Sequence, residues 1–194
     1  MTVTRAGRSG LVPLGDQALA LLTSALRDPM VVTRYRAKMV QVPGSDCLWW
    51  RGAVSGRGHG RFHVGTFPAE EGRAAGRDLC VIAHRFGYAL VFGAAALNGV
   101  PVLGHRCDNA LCQRIGPGHV QASSHALNRR AYLARRFVAG NPLGDARGAQ
   151  GRSRELRDLV PGGPGSGGRR AGPAAAAGVT AAAVRPVTTR PGRG

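Results

Sequence analysis

The stretch that decides the fold is His105-Arg-Cys107-Asp-Asn-Ala-Leu-Cys112-Gln-Arg-Ile-Gly-Pro-Gly-His119. Four residues separate its two cysteines, and six separate Cys112 from His119. Loops of this length allow two thiolates and one imidazole to converge on a tetrahedral ion, and zinc prefers such a ligand set. Cys47 is the first candidate for the fourth ligand and Cys80 the second. A closed shell of four protein ligands leaves no position for water, so we expect a structural zinc ion.

His105 precedes the first cysteine of this loop by two residues. Residues 100–103 predict a strand that leads into it, and a helix predicted from Ser123 to about Val138 carries Asn128 one turn in. Phosphodiester hydrolysis needs a base that takes a proton from water, and a neutral imidazole suits that task. It also needs a cation near the leaving oxygen, and Mg²⁺ held by an amide oxygen suits that one. The sequence therefore indicates a candidate hydrolytic site.

The charge balance is strongly basic. The chain has 27 Lys and Arg residues against 10 Asp and Glu, a formal net charge of +17, and Lys38 is its only lysine. Neutralising phosphates releases condensed counterions, so such a surplus indicates a polyanionic partner. A genome rich in G and C, which favours arginine codons, is the alternative explanation of this composition. No apolar run reaches the length of a membrane span, and we expect a cytoplasmic protein.

The organisation predicted along the chain has three parts. Residues 1–30 form an N-terminal arm with one amphipathic helix over residues 16–27, which ends at Asp28-Pro29. Residues 31–140 hold the large apolar side chains and form the folded domain. Residues 141–194 form a disordered tail, because their Gly, Pro, Ala and Arg content is too poor in large apolar groups to offset the entropy cost of ordering.

Within the predicted domain, the alternating pattern of residues 31–42 fits a strand or a short helix. Residues 47–51 and 60–64 predict two strands around a glycine-rich hairpin tip, residues 52–60, which carries Arg57 and His59. Residues 78–92 predict an apolar helix that includes Cys80 as a buried thiol. Trp49 and Trp50 are expected in the core.

Four motifs in order resemble HNH homing endonucleases and the related His-Cys box enzymes. They are Cys47-Leu-Trp-Trp-Arg-Gly, Gly58-His-Gly-Arg-Phe62, Ala83-His-Arg-Phe-Gly-Tyr88, and the run from His105 through Cys107, Cys112 and His119 to Asn128. The resemblance covers roughly residues 45–135. It implies an α+β fold with a ββα-metal (His-Me finger) core, preceded by an antiparallel hairpin and a helix.

The resemblance also implies roles for single residues. His105 would be the general base and Asn128 the ligand of a catalytic Mg²⁺, while Arg61 would contact the scissile phosphate. Structural zinc would be held by Cys47, Cys107, Cys112 and His119. Double-stranded DNA would be the partner of a monomer or homodimer from a mobile element or phage, and its contacts would come from Arg57, His59, Arg61, Arg129 and Arg130.

The chain departs from the family pattern at two places. Six residues lie between Cys112 and His119 where the family usually has four, and Gly116 replaces the asparagine that braces the loop. The segment Ser123-Ser-His-Ala-Leu-Asn128 keeps the asparagine of the family's final helix but lacks its acid. These departures motivate an alternative, a zinc-containing DNA-binding protein with a degenerate and inactive nuclease core.

Overall fold

The computed structural model describes residues 13–68 and 76–160. Within these ranges the protein is α+β, with helices and short antiparallel sheets. The helices are α1 (Asp16–Arg27), α2 (Pro29–Arg36), α3 (Ala83–Phe92), α4 (His125–Arg135) and α5 (Gly148–Leu159). The strands are β1 (Met39–Gln41), β2 (Leu48–Trp50), β3 (Arg61–Thr66), β4 (Asp78–Ile82), β5 (Val102–His105) and β6 (Val120–Ser123). None of the described helices is long and apolar enough to cross a membrane.

The first helix has the predicted bounds, but it belongs to the folded domain. Asp16 in its first turn and Arg27 in its last turn complement the helix dipole, while Leu22 and Ala25 are buried in the core. The Asp28 side chain then caps α2 by accepting a hydrogen bond from the Met30 amide, and Pro29 takes the first helical position. The predicted boundary at residue 31 therefore falls inside α2, and the ambiguous segment 31–42 contains both a helix and a strand.

Strand pairing differs from the predicted hairpin around residues 52–60. β2 pairs with β1, and β3 pairs with β4, so the two flanking strands do not pair with each other. The loop between them still folds back on itself, because Val54 and Gly60 form an isolated antiparallel bridge. Residues 78–82 form β4 and not the first turns of a helix. Its burial alternates, with Leu79 buried and Cys80 exposed, as expected for a strand with one covered face. Cys80 is thus neither helical nor buried.

The core is centred on aromatic rings from different elements. Trp50, Phe62 and Phe86 are fully buried, and Tyr35 contacts all three with ring centroids 4.9–5.6 Å apart. The Tyr35 hydroxyl donates a hydrogen bond to Oε1 of Gln113 at 3.1 Å. This bond connects α2 to the cysteine-rich loop, residues 106–119 between β5 and β6. Trp50 is therefore a core residue as predicted, and Trp49 is half-buried with its indole nitrogen bonded to Ser45.

The glycine-rich loop is packed against the core. A Cβ atom at Gly60 would lie 2.5 Å from the Trp50 indole, and one at Gly52 would lie 2.8 Å from the same ring. Gly58 has a positive φ of 84° and lies against the backbone of Ala149 in α5. These glycines allow close approach of backbone to a ring and to a helix. The loop therefore lies against the core and α5, with Gly56 and Arg57 exposed at its turn.

Two further expectations need correction near the C-terminal end. The helix predicted from Ser123 to about Val138 is shorter: α4 begins at His125, after β6, and ends at Arg135, and none of its residues is buried. Residues 141–160, predicted as the start of a disordered tail, contain α5, in which Ser153 is buried and Leu156 packs on the core. The rest of the predicted tail, 161–194, lies outside the described residues.

Candidate metal centres at the cysteine-rich loop

The first group of potential ligands is the Cys/His cluster, defined as Cys47, Cys107, Cys112 and His119. One ligand atom from each residue lies within 4.8 Å of those of the others. Cys47 lies directly before β2, Cys107 and Cys112 lie in the cysteine-rich loop, and His119 lies directly before β6. The structure thus selects Cys47 over Cys80 as the fourth member.

Backbone hydrogen bonds hold these separate pieces together. The amides of Trp50 and Gln113 donate to the carbonyls of Leu111 and Leu48, which joins β2 to the loop. The Arg106 amide donates to the His119 carbonyl at 2.8 Å and closes the loop on itself. Buried Asn109 accepts from the Leu111 amide through its side chain. The ligand positions therefore depend on main-chain geometry as well as on side-chain rotamers.

The distances in the Cys/His cluster fit a tetrahedral zinc ion. Nδ1 of His119 lies 3.7 Å from Sγ of Cys47 and 3.6 Å from Sγ of Cys112. Zn–S bonds of about 2.3 Å and Zn–N bonds of about 2.0–2.1 Å give a tetrahedral S···N edge of about 3.5–3.6 Å. The cysteines are free thiols and not disulfides. The residues present therefore fit zinc.

The pKa values of the three thiols depend on one another, because they lie close together. A hydrogen bond with Cys112 lowers the pKa of Cys107, and the same contact raises the pKa of Cys112. Burial raises the pKa of Cys47. One thiolate is thus favoured while its neighbours stay protonated, because adjacent negative charges repel each other. A bound divalent cation would supply the charge that lets all three ionise.

The six residues between Cys112 and His119 form a turn that contains two glycines. Gly116 and Gly118 have φ values of 140° and 78°, which non-glycine residues rarely adopt. The Gly116 amide donates to the Val120 carbonyl, and the His119 amide donates to the Gly116 carbonyl. This turn brings His119 back to the Cys/His cluster, and its positive φ values explain the glycines at positions 116 and 118.

The second group is the three-histidine cluster, defined as His59, His84 and His105, whose ligand atoms also lie within 4.8 Å of one another. Nε2 of His105 is 3.3 Å from Nδ1 of His84. The His59 and His105 rings stack at 5.2 Å between centroids with an interplanar angle of 14°. The sequence predicts His105 as a site residue and His59 as a DNA contact, and it does not predict a role for His84. The structure instead turns His59 inward.

Hydrogen bonds fix the backbone segment that carries each histidine of this cluster. His59 is held by a tight loop in which its amide donates to Oγ of Ser55 and its carbonyl accepts from the Ser55 amide. His84 is the second residue of α3, whose first amide, from Ala83, donates to the Gly60 carbonyl. His105 is the last residue of β5, and its carbonyl accepts from Arg135. Three elements distant in sequence meet here.

Burial keeps two of these imidazoles neutral. It lowers the pKa of His59 to about 4 and that of His84 well below its usual value. Nδ1 of His59 lies 3.4 Å from the Ala110 carbonyl, which can only accept a hydrogen bond, so the proton sits on Nδ1 and the lone pair on Nε2. Nδ1 of His105 is buried without a hydrogen-bond partner among the described residues.

The side chain of Asn128 lies against Gly104, the residue that precedes His105 in β5. A Cβ atom at Gly104 would lie 2.9 Å from the Asn128 amide oxygen. Consecutive strand residues point to opposite faces, and the ring of His105 makes its contacts with His59 and His84. The amide of Asn128 itself is exposed on α4.

Several arginines are exposed around these elements. Arg57, Arg61, Arg129 and Arg130 are exposed as expected for DNA contacts, and none of them forms an ion pair with a described acid. Arg106 was not singled out from the sequence, although it follows His105 directly. It lines a shallow groove with Leu127, Arg130 and Arg135. Arg135 is neutralised by Asp108 at 2.8 Å, so among residues 13–68 and 76–160 the charges of this groove without an ion-pair partner are Arg106 and Arg130.

Comparisons with models of protein families, with curated proteins and with solved structures find no match to this chain.

Proposed function

We propose that this protein is a metal-dependent DNA endonuclease of the HNH type. The observation that carries the proposal is the order β5–β6–α4, an antiparallel strand pair followed by a helix, with His105 at the end of β5. This order places the candidate base two residues from Cys107, beside a cluster that fits zinc. The resemblance of the sequence motifs supplies the ββα-metal family and the reaction.

His105 is the proposed general base. We assign the proton-accepting role to Nε2 because Nδ1 is buried; Nε2 lies 3.3 Å from Nδ1 of His84, so the attacking water would have to replace that contact. His59 stacks on this ring and His84 contacts its Nε2 side, so the imidazole has little freedom to rotate. A general base positioned in this way contributes about 10²–10⁴-fold to rate.

The cations that surround the base would hold the phosphate backbone. Arg61 follows the loop that carries His59, and Arg106 follows His105, so both exposed guanidinium groups belong to segments that meet at the three-histidine cluster. Guanidinium groups bind phosphate oxygens through two parallel hydrogen bonds. Arg57, Arg129 and Arg130 extend the basic surface, and DNA contacts of this kind are independent of sequence.

The assignment of Mg²⁺ to Asn128 rests on the resemblance. The amide oxygen of Asn128 is a hard ligand of the kind that Mg²⁺ accepts, and the phosphate would supply others. Bound Mg²⁺ would stabilise the negative charge that develops on the leaving oxygen. The Cys/His cluster has no part in this chemistry, because a four-ligand zinc shell is closed. Its proposed role is to fix the loop behind His105.

A second candidate function is DNA binding without cleavage. The position of Asn128 on the Gly104 side of β5 favours it, since the metal ligand and the base would then lie on different faces of the strand. The exposed arginines serve either function. The two proposals differ in whether the chain produces cut DNA in any divalent metal.

Cleavage of plasmid and genomic DNA by the full chain in Mg²⁺ tests the proposal. We expect nicked or linear product, and a loss of about 10²–10⁴-fold in rate for His105→Ala. The matched control is His125→Ala, which removes an exposed histidine at the start of α4. Zinc content and circular dichroism verify that both variants stay folded. Equal cleavage by wild type and His105→Ala would refute the mechanism, and absence of product with intact salt-dependent binding would favour the second candidate.

A further inference from the structure

We propose that the three-histidine cluster is a second metal site, specific for a borderline transition ion such as Zn²⁺, Co²⁺ or Ni²⁺ and separate from the Cys/His cluster. Its ligands would be His59, His84 and His105. Ion binding does not require the proposed nuclease activity. Its consequence for catalysis, described below, does rest on that function.

The geometry of the imidazoles carries the inference. Two Zn–N bonds of about 2.0–2.1 Å at a tetrahedral angle place their nitrogens about 3.3–3.4 Å apart. Nδ1 of His84 and Nε2 of His105 are 3.3 Å apart. The ligand nitrogen of His59 lies within 4.8 Å of both, so a small side-chain rotation completes the triangle.

The surroundings match those of metal-binding histidines. Such residues usually donate their second ring nitrogen to a carbonyl, which fixes the tautomer. His59 meets this condition through Ala110. His84 is 5% exposed, whereas His59 and His105 are half-buried. Three imidazoles with an outer side accessible to solvent are typical of an open zinc site, in which water or substrate takes the fourth position.

The chemistry of the donor set decides which ion is suitable. No carboxylate belongs to the three-histidine group among the described residues. Imidazole nitrogen suits Zn²⁺, Cu²⁺, Ni²⁺ and Co²⁺, while Mg²⁺ prefers oxygen and keeps its water ligands. The Cys/His cluster offers thiolates, which are softer ligands. The two sites should therefore differ in affinity and in spectrum although they lie on either side of residues 105–107.

Occupation of this site would switch off the proposed nuclease. Coordination uses the lone pair of Nε2 of His105, and that same lone pair accepts the proton of the attacking water. A transition ion at the cluster and general-base catalysis by His105 are therefore mutually exclusive. We expect Zn²⁺ beyond the first equivalent to inhibit Mg²⁺-dependent cleavage, while the first equivalent supports the fold.

Cobalt titration of the full chain, preloaded with one equivalent of Zn²⁺, tests the site. Zinc occupies the thiolates, so Co²⁺ reports on the histidines. We expect one additional Co²⁺ per chain with weak visible bands and without the intense near-ultraviolet thiolate-to-cobalt band. In His59→Phe, which keeps an aromatic ring but removes the ligand nitrogen, affinity should fall by at least about 10–100-fold. The matched control, His125→Phe, should bind as wild type.

Retained zinc in each variant shows that the fold and the Cys/His cluster persist. If wild type binds no Co²⁺, or if His59→Phe binds Co²⁺ as tightly as wild type does, the proposed metal site is refuted. The histidines would then only contact one another. These outcomes are independent of cleavage. A chain that binds Co²⁺ as described but never cuts DNA would keep the metal site and lose the proposed nuclease. A chain that cuts DNA but binds no Co²⁺ at the histidines would keep the nuclease and lose the metal site.

Discussion

The Cys/His cluster and the three-histidine cluster meet at residues 105–107, but they are assembled differently. Three of the four members of the first cluster lie in one stretch of thirteen residues, Cys107 to His119. The members of the second are more than twenty residues apart and come from a loop, a helix and a strand. A metal centre can thus be local in sequence, or it can depend on tertiary packing, and the two kinds respond to different mutations.

The strongest expected effect comes from breaking the local cluster. Cys112→Ser removes a fully buried thiol of this cluster, and structural zinc contributes about 10–16 kcal/mol of binding energy to small zinc domains. We expect loss of zinc and global unfolding by circular dichroism. Cys80→Ser is the matched control, because Cys80 is exposed on β4. A Cys112→Ser protein that keeps wild-type stability would show that this cluster is not structural.

A smaller effect is expected from disturbing the packing that supports the histidines. Gly60→Ala places a Cβ atom 2.5 Å from the Trp50 indole, next to His59. Such overpacking costs about 1–3 kcal/mol. We expect a lower urea midpoint and weaker Co²⁺ binding, with zinc content unchanged. Gly56→Ala is the control, since a Cβ atom there contacts nothing within 4 Å. Equal effects of the two substitutions would contradict this packing.

The smallest effect concerns the basic groove beside the two clusters. If Arg106 and Arg130 each contact one phosphate, replacing either with Gln reduces the slope of log affinity against log salt by about 0.9 on duplex DNA. The measurement is fluorescence anisotropy over a range of salt concentrations. Arg27→Gln on α1 serves as the control. An unchanged slope in both groove variants would place the DNA on another surface.

The same contrast explains what could be predicted from sequence. Cys107, Cys112 and His119 follow from spacing within one loop, whereas the choice of Cys47 over Cys80 needed the structure. α1 follows from its apolar period and its proline stop. A strand is predicted at residues 100–103, and β5 lies two residues further on, at Val102–His105. All of these signals are local, and the structure agrees with each of them.

The remaining features depend on contacts between distant segments. Nothing near His59 indicates that Gly60 must lie on the Trp50 ring, so the loop looked like a free hairpin tip. The apolar residues of segment 78–82 fit either a strand or a helix. Only the pairing of this segment with β3 decides that it is a strand. α5 packs Ala149 and Ser153 against Gly58, a contact that the composition of its own residues does not reveal. Such features are invisible to local patterns.

X-ray absorption at the zinc edge, on the full chain with one equivalent of Zn²⁺, examines the ligands of the tightly bound ion directly. Three sulfur atoms at about 2.3 Å and one nitrogen at about 2.0–2.1 Å are expected, from Cys47, Cys107, Cys112 and His119. A shell made only of nitrogen and oxygen would contradict the zinc-tied loop on which the position of His105 depends.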